Sequence, residues 1–85
     1  GLVEPFVLIL NQATSDARQL ERTRRDLDIA QRRLADTQTA LENVDAVLAM
    51  DPEAGILERL TVSRDIWLAR RERHETQVQA LMQRV

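Results

Sequence analysis

Residues 20–48 read LERTRRDLDIAQRRLADTQTALENVDAVL, and the spacing of the leucines in this stretch decides the fold. Between positions 11 and 50, leucine occurs only at every seventh residue: Leu20, Leu27, Leu34, Leu41 and Leu48. A large apolar side chain repeated every seven residues places those side chains on one face of an α-helix. The positions three residues further on hold smaller side chains: Thr23, Ala30, Thr37 and Val44. The alternation of large and small residues predicts a helix that packs closely against a second helix.

The remaining positions of this stretch are mostly Arg, Asp, Glu and Gln, as expected for faces in contact with water. Two acidic residues are each followed four positions later by an arginine, giving the pairs Glu21–Arg25 and Asp28–Arg32. Acid-first pairs at this spacing lie side by side on a helix and stabilise it by about 0.3 kcal/mol each. They therefore support the helix without suggesting a chemical role.

The segment Asp51-Pro52-Glu53-Ala54-Gly55 interrupts the pattern, since Pro52 removes an amide donor and disfavours helical geometry at Asp51. The same residues also suit the start of a new helix, with Asp51 as N-cap and Pro52 in the first helical position. We predict one domain, residues 1–85, with a first helix over about 5–50, a turn at 51–55 and a second helix over about 53–85.

The second helix carries its own series of seven-residue spacings, at Leu60, Trp67, His74 and Leu81. An antiparallel arrangement pairs the two series, and two registers fit. In the first register, Leu48 faces Leu60, Leu41 faces Trp67, Leu34 faces His74 and Leu27 faces Leu81. The second register is shifted by about one turn, with Trp67 over Thr37 and His74 over Ala30. The sequence predicts an all-α fold, a two-helix antiparallel hairpin with coiled-coil-like packing, and leaves the register open.

In either register, about twenty residues at the amino terminus have no partner within the chain, and residues 6–10 among them are apolar on every side of a helix. A helix with no polar face is normally buried. We expect the helix to begin near Pro5. A later start, capped by Asp16 and Gln19, would leave residues 6–10 as a strand or a loose arm. Self-association or the rest of a parent chain would complete the hairpin to a bundle, so we expect a homo-oligomer or a fragment of a larger helical protein.

Composition argues against several other functions. The net charge is −2 and all twelve basic residues are arginine, so no overall basic excess is available for a nucleic-acid backbone. The chain has no cysteine and a single histidine, which disfavours a metal site, and no residues suit cofactor binding or catalysis. No segment approaches the roughly 20 apolar residues of a membrane span. We expect neither an enzyme nor direct membrane insertion by this segment.

Two further features allow a functional and a structural interpretation. Trp67 is most simply an anchor between the two helices, and alternatively a contact for another protein. Arg64, Arg70, Arg71 and Arg73 could bind an anion, but acidic residues are interspersed among them and helix geometry directs neighbouring side chains about 100° apart. A salt-bridged surface is therefore favoured over nucleic-acid binding. The candidate interaction residues are Phe6, Ile9, Leu10 and Trp67.

The leucine series, the short Pro/Gly turn and the run LTVSRDIWLARR at residues 60–71 resemble helical hairpins in the extramembrane regions of larger bacterial mechanosensitive channels. Spectrin-like repeats, sensor stalks and secretion-apparatus hairpins share the same Leu, Ala and Arg bias, and no functional residue is carried over. The resemblance implies an alternative to the interaction module, namely an extramembrane part of a channel or sensor in the bacterial cell envelope. Hydrophobic spans of about 20 residues in the flanking gene sequence would support it.

Overall fold

The computed structural model describes residues 4–84, with only the backbone described for residues 4–6. Two α-helices, α1 (Glu4–Leu48) and α2 (Ala54–Met82), pack side by side in opposite directions along their shared length. The predicted all-α hairpin is therefore confirmed. The molecule is 78 Å long and 15 × 14 Å in cross-section. A helix of 45 residues is about 68 Å long, so α1 accounts for most of the length.

Helix α1 extends through the apolar amino-terminal segment, as expected for a start near Pro5. Pro5 lies in the first turn, where its missing N–H has no helical partner to lose. The alternative start at Asp16 is not observed, because Asp16 lies inside the helix and accepts a hydrogen bond from Nε2 of Gln12 at 3.0 Å. The first helix ends at Leu48, two residues before the predicted boundary. The second ends at Met82, and the predicted boundary at Val85 lies outside the described residues.

The two predicted acid–arginine pairs on α1 are confirmed. Glu21 contacts Arg25, and Asp28 contacts Arg32, each with 3.0 Å between a carboxylate oxygen and a guanidinium nitrogen. All four side chains are well exposed to solvent, so each pair stabilises the helix by only a few tenths of a kcal/mol.

The turn differs from its prediction. Asp51 was expected to cap α2, but the N-cap is Glu53, which makes no side-chain capping hydrogen bond. Asp51 instead belongs to the end of α1, where its amide donates to the carbonyl of Leu48 at 3.3 Å. Its φ of 54° lies in the left-handed region, which aspartate adopts more readily than most residues. This conformation directs the chain out of α1, and Pro52 then occupies the loop between the helices.

Two substitutions at the turn are expected to change stability in opposite directions. A Cβ atom added at Gly55 would meet no atom within 4 Å, and Gly55 is helical without a positive φ. Gly55→Ala should therefore raise the free energy of unfolding by about 0.4–1 kcal/mol. Asp51→Val should lower it by about 1 kcal/mol or more, because a β-branched residue tolerates a positive φ poorly. Urea unfolding followed by circular dichroism measures both changes, and stabilisation by Asp51→Val would contradict the turn geometry.

Candidate interaction surface

Two small residues of α1 are the most deeply buried in the seam between the helices. Ala30 is 1% exposed and Thr37 is 3% exposed, whereas the larger neighbours Leu27 and Leu34 are only half-buried. Small side chains let the backbone of α1 approach α2, so longer side chains of α2 cover them. The hydroxyl of Thr37 donates to the carbonyl of Arg33 at 2.8 Å, which satisfies this buried polar group within its own helix. Leu41, at 5% exposed, is the most buried leucine of the repeat.

On α2, the carboxy-terminal part of the seam is the best covered. Val78 and Leu81 are buried and form a cluster with Ala30, against which Leu27 and Leu34 pack.

The other predicted seam residues of α2 are Leu60, Trp67 and His74, and all three are half-buried. Leu48 and Val44 on α1 are half-buried as well. The hydrophobic core of the hairpin is thus a narrow strip.

The contacts across the seam distinguish the two registers that the sequence left open. Ala30 packs with Val78 and Leu81, as in the register that places Leu27 opposite Leu81. Near the turn, Nε of Arg64 donates to Oδ1 of Asp45 at 2.8 Å, next to the position expected in that register. The shifted register would place His74 over Ala30. The structure therefore has the first register.

Leu20 is the exception among the predicted seam residues. Its side chain is 36% exposed, and Thr23 is the first half-buried residue from position 7 onward. Arg84, just beyond the end of α2, lines a shallow groove together with Leu20 and Thr23. The paired part of the hairpin therefore stops near Thr23, because α2 is too short to cover Leu20.

Residues 7–22 of α1 are all exposed, and we call residues 4–22 the overhang. Four consecutive apolar side chains in it are largely accessible: Val7 (47%), Leu8 (69%), Ile9 (65%) and Leu10 (66%). Successive residues of a helix point about 100° apart, so these four side chains surround the helix. The backbone of Phe6 belongs to the same helix, and its side chain lies outside the described part. The overhang is thus an ordered helix with an apolar surface that α2 does not cover.

The arginines of α2 are divided among separate contacts. Arg64 pairs with Asp45 of α1, and Arg71 lies 3.7 Å from Glu75. The guanidinium carbon of Arg70 lies 4.8 Å from the ring centroid of Trp67, a cation–π contact on the helix surface. These side chains do not form a continuous basic stripe. Trp67 is half-buried and lines a shallow groove together with Arg33 and Thr37 of α1.

Two features were not predicted from the sequence. The Arg64–Asp45 pair joins the helices next to the turn, and the i,i+4 rule cannot find it because it depends on the register. The outward face of α2 also exposes Val62 (57%) and Ile66 (49%), which the seven-residue series does not include. Single exposed apolar residues are common on protein surfaces and need no special explanation.

Neither helix, within residues 4–84, has a stretch of the length and hydrophobicity needed to cross a membrane. In the same residues, no three His, Asp or Glu side chains come close enough together to hold a metal ion.

Comparisons with family models, with curated proteins and with solved structures find no match to this chain. The similarity to extramembrane hairpins of mechanosensitive channels therefore stays a prediction from the sequence pattern. The candidate interaction surface is defined by the geometry of the helices alone.

A pair of truncations tests the seam. Leu41→Ala should lower the free energy of unfolding by about 2–4 kcal/mol, because it removes a buried side chain from the seam of the hairpin. Ile29→Ala, on the same helix but 47% exposed, is the matched control and should cost less than about 1 kcal/mol. Both values come from urea unfolding of the whole chain. Equal losses would mean that the buried face of α1 is assigned incorrectly.

Proposed function

We propose that this chain is a non-catalytic structural and protein-interaction module, in which the paired hairpin holds the overhang ready to bind another helix. The observation that carries the proposal is the exposure of four consecutive apolar residues, 7–10, on an ordered helix. Transfer of a Val, Leu or Ile side chain from water to an apolar contact contributes about 1.5–3 kcal/mol. Coverage of this surface by protein would therefore be strongly favourable.

The hairpin reduces the cost of presenting this surface. An isolated helix of fewer than about 12–15 residues is marginal in water, because nucleation of the first turn is unfavourable. The overhang has no separate nucleation step, since it continues a helix that the seam already stabilises between Thr23 and Leu48. A partner would therefore lose little backbone freedom from the overhang on binding, which favours affinity.

The positions of the potentially reactive side chains support a non-catalytic role. His74 lies in the seam, and Ser63 precedes it by eleven residues on α2, which separates them by about 16 Å along the helix axis. Ser15 lies in the overhang, beyond the end of α2. A nucleophile and its base must lie within hydrogen-bond distance of each other, and these serines and His74 do not.

The candidate partners of the exposed apolar overhang are protein: another copy of the chain or the remainder of a parent protein.

Photo-crosslinking tests this function directly. A photoreactive amino acid in place of Ile9, which is 65% exposed, should form adducts with a protein helix when the protein is expressed in its native cell. The same amino acid in place of Ile29 is the matched control, because Ile29 is an exposed apolar residue on the paired part of α1. Mass spectrometry of the adducts identifies the residues that contact position 9.

The proposal predicts adducts at position 9 in clear excess over position 29. Equal yields at the two positions, or no protein adduct at position 9, would contradict it. The second result would mean that the overhang faces solvent in the cell.

A further inference from the structure

The seven-residue series of α1 does not stop where α2 ends. Phe6 and Ala13 occupy the same heptad position as Leu20, and Ile9 and Asp16 occupy the same position as Thr23. Because α1 is one uninterrupted helix from Glu4 to Leu48, the face that packs on α2 continues along the overhang. A second helix can lie along this continuation in the same way as α2 lies along the paired part.

We propose that this second helix is the overhang of another copy of the chain, packed antiparallel about a two-fold axis between Thr14 and Ser15. The inference rests on the proposed function and names its partner. In this register, Ile9 lies opposite Leu20 of the second copy, and Ala13 lies opposite Asp16 of the second copy. By symmetry each pair occurs twice, as in any closed two-fold interface.

The length of the uncovered surface supports this register. The seam is covered by α2 only from about Thr23 onward, and Leu20 is the last large seam residue left exposed. A second copy in this register begins its α1 where α2 of the first copy ends, close to the groove that Arg84 shares with Leu20. The dimer is then two helices wide along its whole length, and Leu20 gains the cover that α2 does not provide.

The side chains that flank the strip suit an identical partner. The proposed register places Leu10 beside Ala17 of the second copy on one side and Gln12 beside Gln19 on the other. None of these four residues is charged, and Arg18 occupies an outward heptad position. A two-fold contact brings the same set of residues together twice, so a flank with charges of one sign would repel itself. The neutral flanks of the overhang avoid this repulsion.

The paired part of the hairpin has a different flank. Charged residues line the grooves along it, among them Asp26 and Arg33 of α1 and Arg84 beyond α2. Such a flank suits a partner of complementary charge, which the chain provides for itself in α2. Helix α1 therefore has two kinds of flank. The neutral flank of the overhang suits an identical helix, and the charged flank of the paired part suits α2.

Asp16 is the one residue of the strip that opposes pairing. It occupies a heptad core position next to the two-fold axis, and its carboxylate is held by the amide of Gln12 at 3.0 Å. Two copies of this carboxylate would lie near each other across the axis, where like charges destabilise the contact. The apolar contact is also short, so the dimer should be reversible and depend on protein concentration.

Sedimentation equilibrium of the whole chain over a range of concentrations tests the proposal with three variants. The unchanged chain should show a reversible monomer–dimer equilibrium. Asp16→Ala should lower the Kd of the dimer by about tenfold, because one charge is removed from the core twice per dimer. Ile9→Glu should abolish the dimer, whereas Ile29→Glu, at an exposed apolar site on the paired part, should leave the Kd unchanged. Circular dichroism checks that every variant keeps its helical content.

The relative orientation of the two overhangs can be tested separately with single introduced cysteines, because the chain contains no cysteine of its own. A mixture of Gln12→Cys and Gln19→Cys chains, treated with a short bifunctional thiol reagent, should give mixed dimers in excess over homodimers if the helices are antiparallel. Homodimers in excess would indicate a parallel contact and overturn the proposed register.

A monomer at every concentration up to about 1 mM, where a weak contact would still be populated, would also overturn the proposal. So would a dimer that persists in Ile9→Glu, or one that Asp16→Ala weakens. These results are distinguishable from failure of the proposed function. A monomer that still crosslinks from position 9 to a different protein would remove self-pairing and keep the interaction role, whereas a monomer with no adducts would remove both.

Discussion

The structure depends on the packing of α1 against α2 at Ala30 and Thr37. Both side chains are almost fully buried, although neither is large, while Leu27 and Leu34 beside them are only partly covered. Among the leucines of the seam, only Leu41 and Leu81 are buried, since each helix has a single neighbour in the hairpin. Its cohesion therefore comes from a narrow strip in which small residues on one helix admit larger residues from the other. The seven-residue spacing keeps this strip facing α2 over more than three heptads.

The functional consequence follows from the unequal lengths of the helices. Helix α1 has 45 residues and α2 has 29, so the packing strip of α1 extends beyond the end of α2. Within the paired part, the apolar face is protected and the surface carries charged pairs. Beyond it, the helix keeps its heptad pattern while the flanking charges disappear. The same helix thus holds the hairpin together at one end and exposes an apolar surface at the other.

Much of this arrangement could be predicted from the sequence, because it depends on periodicity. The leucine series identified the buried face of α1, and the second series placed Leu60, Trp67, His74 and Leu81 at the seam. The register required coordinates, since two alignments one turn apart pair similar side chains and differ only in details such as the Arg64–Asp45 contact. Leu20 was assigned to the seam because the pattern includes it, and its exposure depends on where α2 ends.

The turn was the least predictable part. Asp51 and Pro52 satisfy the composition of a helix start, but the chain first has to leave α1, and Asp51 adopts a positive φ to do so. Local preference for a cap was therefore overridden by the need to reverse direction within a few residues.

The overhang presented the opposite case: its apolar character was evident from residues 6–10, but the sequence allowed either a helix or a loose arm. Continuity with a stabilised helix decides in favour of the helix.

The central claim is that the leucine strip of α1 packs against the returning half of the same chain. Pulsed electron–electron resonance between spin labels at Ala35→Cys and Arg73→Cys tests it most directly, because both positions are exposed and lie opposite each other in the observed register. Helices packed 8–10 Å apart predict a label separation of roughly 20–30 Å once the label arms are included. A single unbroken helix through Pro52 would separate the two positions by roughly 57 Å. A short distance agrees with the hairpin, and the long one would contradict it.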